Sequence, residues 1–117
     1  MPQCIFRYHK DTLSAEEVSR IGHHIRPLVA AAASTERVPF TEKDIEWIPE
    51  PYNPGASGVE VAIELRTIGF PERKKKLGRG GALALREKII AVPGFPHVDP
   101  STPILWIQWQ DPDGLHI

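Results

Sequence analysis

Val59-Glu60-Val61-Ala62-Ile63-Glu64-Leu65-Arg66-Thr67-Ile68 alternates between apolar and polar side chains along most of its length. Successive side chains of a strand point to opposite faces. Val59, Val61, Ile63 and Leu65 therefore share one face, and Glu60, Glu64 and Arg66 take the other. Gly69 closes the run. Pro71 suits the first position of a helix, which Leu77, Leu83, Leu85, Ile89 and Ile90 then populate. Ile104 to Gln110 reads as a final strand, with Leu105, Ile107 and Trp109 turned toward the helices and Trp106 and Gln108 turned away.

The same order is written once before Val59. Gln3 to His9 has the β character of Ile5, Phe6 and Tyr8. Ser14-Ala15-Glu16-Glu17 is a capping box, in which hydroxyl and carboxylate satisfy free amides at a helix start. Val18, Ile21, Gly22, Ile25, Leu28, Val29 and Ala32 follow at helical spacing. Pro27 lies within them and predicts a kink, and Ser34-Thr35 ends the helix. A second strand is expected from Asp44 or Ile45 to Ile48, stopped by Pro49, with a proline-rich loop to Gly55.

Strand-helix-strand written twice predicts one α+β domain over 1–117, with pseudo-repeats of about 2–50 and 58–111 and a sheet backed by two helices. A ferredoxin-like sandwich and a pair of parallel βαβ units share that order, and the order alone does not separate them.

Composition narrows the function. Lys and Arg number 14 against 15 Asp and Glu, a net charge of −1, which lacks the basic field of a nucleic-acid binder. The lone Cys4 has no internal disulfide partner and fits a reducing compartment. No apolar run reaches the roughly 18 residues of a membrane span. Arg7, Lys10 and Asp11 are foreign to a signal peptide. A cytoplasmic protein with no membrane or nucleic-acid partner is expected. His23 and His24 point to different sides of their helix, and no histidine pair has metal-ligand spacing.

Pro2 carries the most chemistry. Trimming of Met1 would leave a secondary amine at the chain terminus, directly ahead of a strand. An α-amino group titrates near about 7.7–8.0, and apolar surroundings lower that value. Such an amine is a neutral general base near pH 7.

The Met1-Pro2 start followed by a strand resembles the tautomerase superfamily, whose members use a terminal proline as catalytic base. Three segments resemble the branch of macrophage migration inhibitory factor: Glu46-Trp47-Ile48-Pro49-Glu50, Leu65-Arg66-Thr67-Ile68-Gly69, and Trp106-Ile107-Gln108-Trp109-Gln110-Asp111. The first helix, with its internal proline, is closer to 5-carboxymethyl-2-hydroxymuconate isomerase. The resemblance implies two βαβ units, a homotrimer, and a cofactor-free isomerase shifting a proton on a small carbonyl compound. It implies Pro2 as base, Ile68 as pocket wall, and Trp106 and Gln108 at the family's pocket tyrosine and asparagine. Val38 stands where the inhibitory-factor branch has a lysine, and Arg37 is the nearest cation.

Other readings stand beside this one. The chain could be a non-catalytic binding protein on the same fold, or a ferredoxin-like dimeric module in which Pro2 is incidental. Arg73-Lys74-Lys75-Lys76 reads as a solvated helix face, although cations near a helix start oppose its dipole. The glycines of Leu77-Gly78-Arg79-Gly80-Gly81 lack phosphate-loop spacing and read as close helix packing. Cys4 reads as a small buried apolar residue.

Overall fold

The computed structural model describes residues 2–52, 61–99 and 101–110. Its elements are β1 (Gln3–His9), α1 (Ala15–Ala33), a 3₁₀ turn (Glu42–Asp44), β2 (Glu46–Tyr52), β3 (Val61–Ile68), α2 (Pro71–Lys76), α3 (Arg79–Ile90) and β4 (Leu105–Gln110). Val59, Glu60 and the expected loop from Asn53 to Gly55 lie outside the described residues.

The strands form one sheet in the order β2-β1-β3-β4. β1 runs parallel to β2 and β3 parallel to β4, while β1 and β3 meet antiparallel. Each half is thus a parallel βαβ unit, and the two halves join at their first strands. That pairing resolves the two architectures in favour of the double unit.

The alternation in β3 sets the two faces. Val61, Ile63, Leu65 and Thr67 are buried, as are Cys4, Phe6 and Tyr8 on β1. Val18, Ile21, Ile25, Val29 and Ala33 of α1 and Leu85 and Ile89 of α3 complete this core. Leu105, Ile107 and Trp109 pack against it from β4. The other face carries Gln3, Ile5, Arg7, Glu64, Arg66, Trp106 and Gln108, and none of the described helices lies over it, although Ile5 is buried. Trp106 is 47% exposed there. Leu83, expected in the second helix, is also exposed.

Ser14 caps α1 as its sequence predicts: its hydroxyl accepts from Glu17 N, and Glu17 accepts from Ser14 N. α1 continues through Pro27 to Ala33. Gly22 lets α1 approach the sheet, because a Cβ there would stand 2.7 Å from the Trp47 indole. Trp47 in turn stacks on Phe6, with ring centroids 5.2 Å apart.

Two expectations need correction. β2 does not stop at Pro49 but runs to Tyr52. It is an edge strand: Glu46 N donates to Pro2 O and Tyr52 O accepts from Lys10 N, the residues flanking β1, so the even-numbered positions bond toward β1. Pro49 and Pro51 have the opposite parity, so their nitrogens face the open edge and no ladder bond is lost. The expected second helix is two helices, broken at Leu77-Gly78. Gly78 is extended, with φ −62° and ψ −178°, and redirects the chain. Gly81 permits the tight reversal, since a Cβ there would fall 1.9 Å from Lys76 O. Gly80 meets nothing within 4 Å, so close packing explains one glycine of this pair.

The basic run of α2 is split: Lys74 and Lys75 are exposed as expected of a solvated face, while Arg73 and Lys76 form a tertiary cap. α1 has no basic residue in its last turn, and the last carbonyls of a helix lack intrahelical partners. Lys76 Nζ donates to Ala31 O and Ser34 O at 2.7 Å each. Arg73 Nε donates to Ala33 O at 2.8 Å. Cations that oppose the dipole of α2 thus complement the negative end of α1.

Candidate active site

Pro2 is buried, and its carbonyl accepts from Glu46 N at 2.9 Å. Alternation along β1 places it on the core face with Cys4 and Phe6. The last printed rung of the β1–β3 ladder pairs Gln3 with Arg66. One step further, the same register sets Pro2 opposite Thr67, which is 1% exposed and on the same face.

Thr67 leads to a buried cation. The Thr67 hydroxyl accepts from Arg73 Nη1 at 3.1 Å, and Ile68 O accepts from the same nitrogen at 2.9 Å. Arg73 is only 1% exposed. Its guanidinium lies 4.8 Å from the Phe40 ring centroid and 5.5 Å from that of Phe70, within cation–π range of both. Burial pulls its pKa down, but an arginine stays charged in a protein. None of the described acids forms an ion pair with it, and Nη2 has no hydrogen-bond partner.

Phe70 also lines a cleft of about 460 Å³, together with Thr35, Arg37, Val38, Pro71 and Glu72. Four segments therefore converge at one end of the sheet: the start of β1, the exit of β3, the α2 entry, and the chain following α1. The Cys4 thiol is a poor nucleophile, because full burial pushes its pKa up to about 12. Among the described residues no group of three His, Cys, Asp or Glu side chains could hold a metal ion. None of their helices is long and apolar enough to cross a membrane.

The residues expected in the site are distributed unevenly. Pro2 and the Ile68 backbone lie at this end, and Arg37 is exposed in the cleft wall. Gln108 pairs with Arg66 and Trp106 with Glu64, which puts both on the open face. β4 is two strands from β1, roughly 10 Å at ordinary strand spacing. Within one chain, Trp106 and Gln108 do not share a pocket with Pro2. Sequence reasoning placed Arg73 on a solvated helix face, which its burial corrects, and passed over Phe40 and Phe70. The signal for Arg73 was its awkward place in the first turn of α2.

No family model and no curated protein matches the chain. Solved structures do. A wild-type fused 4-OT described as an asymmetric trimer superposes with a TM-score of 0.67 at 13% identity, over 98% of this chain and 91% of that one. The chain has the tautomerase fold. The FG41 malonate semialdehyde decarboxylase inhibited by 3-bromopropiolate matches with a TM-score of 0.55 at 14% identity, over 97% of this chain and 87% of that one. A protein of unknown function from Vibrio cholerae O1 biovar eltor gives 0.53 at 18% identity, over 99% and 83%.

Proposed function

We propose that the chain is a cofactor-independent isomerase that moves a proton on a small carbonyl compound, with Pro2 as general base after loss of Met1. The observation that carries this reading is the burial of Pro2 at the head of β1, opposite Thr67 in the β1–β3 register. An amine in that place is held neutral by its apolar neighbours. Its nitrogen would take a proton from the carbon next to the carbonyl. The C–H electron pair would form the carbon–carbon double bond of an enolate, and the same proton would return to a different carbon or to oxygen. A 4-OT and a decarboxylase share the fold, and they support chemistry of this kind at low identity.

The reading includes a homotrimer. Trp106 and Gln108 stand on a sheet face that none of the described helices covers, and a second copy would bring them to a neighbour's cleft. Ile68 and Arg37 would then line the same site from within the chain. The test is turnover of small aryl and dienyl keto compounds by protein whose intact mass shows Met1 removed. Processed protein should enolise such a compound, and Pro2→Ala should lose at least 100-fold in rate. An inactive processed protein that still binds small carbonyl compounds would favour the binding-protein reading instead.

A further inference from the structure

Trp47 and Arg26 face the seam between β2 and α1, and each has a buried nitrogen without a hydrogen-bond partner. The Trp47 indole lies over Gly22, with Nε1 2.7 Å from where a Cβ would stand. Arg26 follows Gly22 by one helical turn, so their Cβ positions are about 5–6 Å apart on one face. Helical side chains lean toward the N-terminus of their helix. The bond from Arg26 Nη2 to His23 Nδ1, at 3.3 Å, shows that lean. Arg26 therefore reaches back over the turn that carries the indole. Arg26 Nε and Trp47 Nε1 are donors only, and neither meets an acceptor. Buried polar groups are nearly always satisfied, and an exception calls for a reason.

Charge supplies an independent second observation. Arg26 is half-buried, yet none of the described acids forms an ion pair with it. One turn away along α1 stand Gly22, His23, Val29 and Ala30, none of them acidic. Asp44, in the 3₁₀ turn packed against α1, is engaged by Thr41 N and Thr41 Oγ1. We infer that this seam is a small-anion site, in which Arg26 Nε and Trp47 Nε1 hold one oxygen of a carboxylate or inorganic oxyanion. Gly22 keeps the seam open, since any side chain there would collide with the indole. The guanidinium has one long hydrogen bond to give up, to exposed His23. An anion arriving from that side replaces it with a charge-assisted bond, which is stronger. The site shares no residue with the cleft at Phe70 and does not depend on proton transfer at Pro2.

The indole N–H is its own reporter. Three tryptophans give three indole signals in the proton–nitrogen spectrum of labelled protein. Trp47→Phe, which keeps an aromatic ring against Phe6, assigns one of them. Acetate and inorganic phosphate are titrated separately at constant ionic strength. The Trp47 signal should move saturably with at least one of them, while those of Trp106 and Trp109 stay in place. Arg26→Gln should weaken the affinity about 10-fold, Arg26→Lys should recover part of it, and Pro2→Ala should leave it unchanged. The unmoved Trp106 and Trp109 signals report that each variant is folded. A Trp47 signal that responds to neither anion would mean that the seam holds a water only, and would overturn the inference. Equal affinity in Arg26→Gln would overturn it as well.

Discussion

Gln108 and Pro2 lie on opposite faces of the sheet and two strands apart, since Gln108 pairs with Arg66, which pairs with Gln3, while Pro2 shares its face with Cys4. A site that uses both must draw on more than one copy of the chain. The half-exposed Trp106 on the open face is then an interface residue. Light scattering should give a trimer at micromolar concentration. Trp106→Glu should shift it to monomer, because a charge cannot be covered there without a partner. A wild-type monomer would remove Gln108 and Trp106 from the site.

Arg73 should matter to stability in proportion to the bonds it makes. Arg73→Met leaves the Ala33 and Ile68 carbonyls without their donor, a loss of about 2–4 kcal/mol from charged hydrogen bonds and stranded acceptors. Lys75, exposed in the same run, should tolerate Met within about 0.5 kcal/mol. Urea unfolding of the two variants checks this. Equal midpoints would mean that the bonds of Arg73 to α1 and β3 add nothing to stability.

Much of this fold could be read along the chain, because periodicity and caps are local. The β3 alternation, the Ser14 capping box and the side-chain facing of β4 needed only neighbours in sequence. What escaped was tertiary. The continuation of β2 through Pro49 and Pro51 depends on which edge faces solvent. The break at Gly78 depends on Lys76 O meeting Gly81. The site was legible in Pro2, whose chemistry is its own, and not in Arg73, whose bond to Ala33 spans 40 residues. A cation in the first turn of a helix was the one visible hint, and its meaning lay in the end of another helix.

Neighbouring glycines of α3 should respond with opposite sign. Gly80→Ala enters open space and should stabilise by about 0.4–1 kcal/mol by restricting the unfolded chain. Gly81→Ala drives a methyl into Lys76 O and should cost about 1–3 kcal/mol. Thermal unfolding of both decides it. A stabilising Gly81→Ala would mean that the α2–α3 reversal is looser than described.

Glu17 should contribute to the acid limb of stability. Hydrogen bonds from the Ser14 backbone and side chain hold its carboxyl below the ordinary glutamate range. A depressed carboxylate adds stability that is full above its unfolded pKa, about 4.3, and is lost as pH falls through the folded value. The advantage of wild type over Glu17→Gln should therefore shrink steadily below about pH 5. Ser14→Ala should cost about 1 kcal/mol at neutral pH by loss of the N-cap. A wild-type advantage independent of pH would contradict the capping role of Glu17.

The central claim is that the Pro2 nitrogen takes a proton from carbon. Its most direct test is deuterium exchange at the carbon beside the carbonyl of a small aryl keto compound, followed by proton NMR with Met1-free protein across pH. Exchange should rise with pH to a plateau, with an apparent pKa below the ordinary terminal value of about 7.7–8.0. Pro2→Ala should lower it at least 100-fold, and protein retaining Met1, whose Pro2 nitrogen is an amide, should show none. Equal exchange by the Met1-bearing and Met1-free proteins would contradict the account.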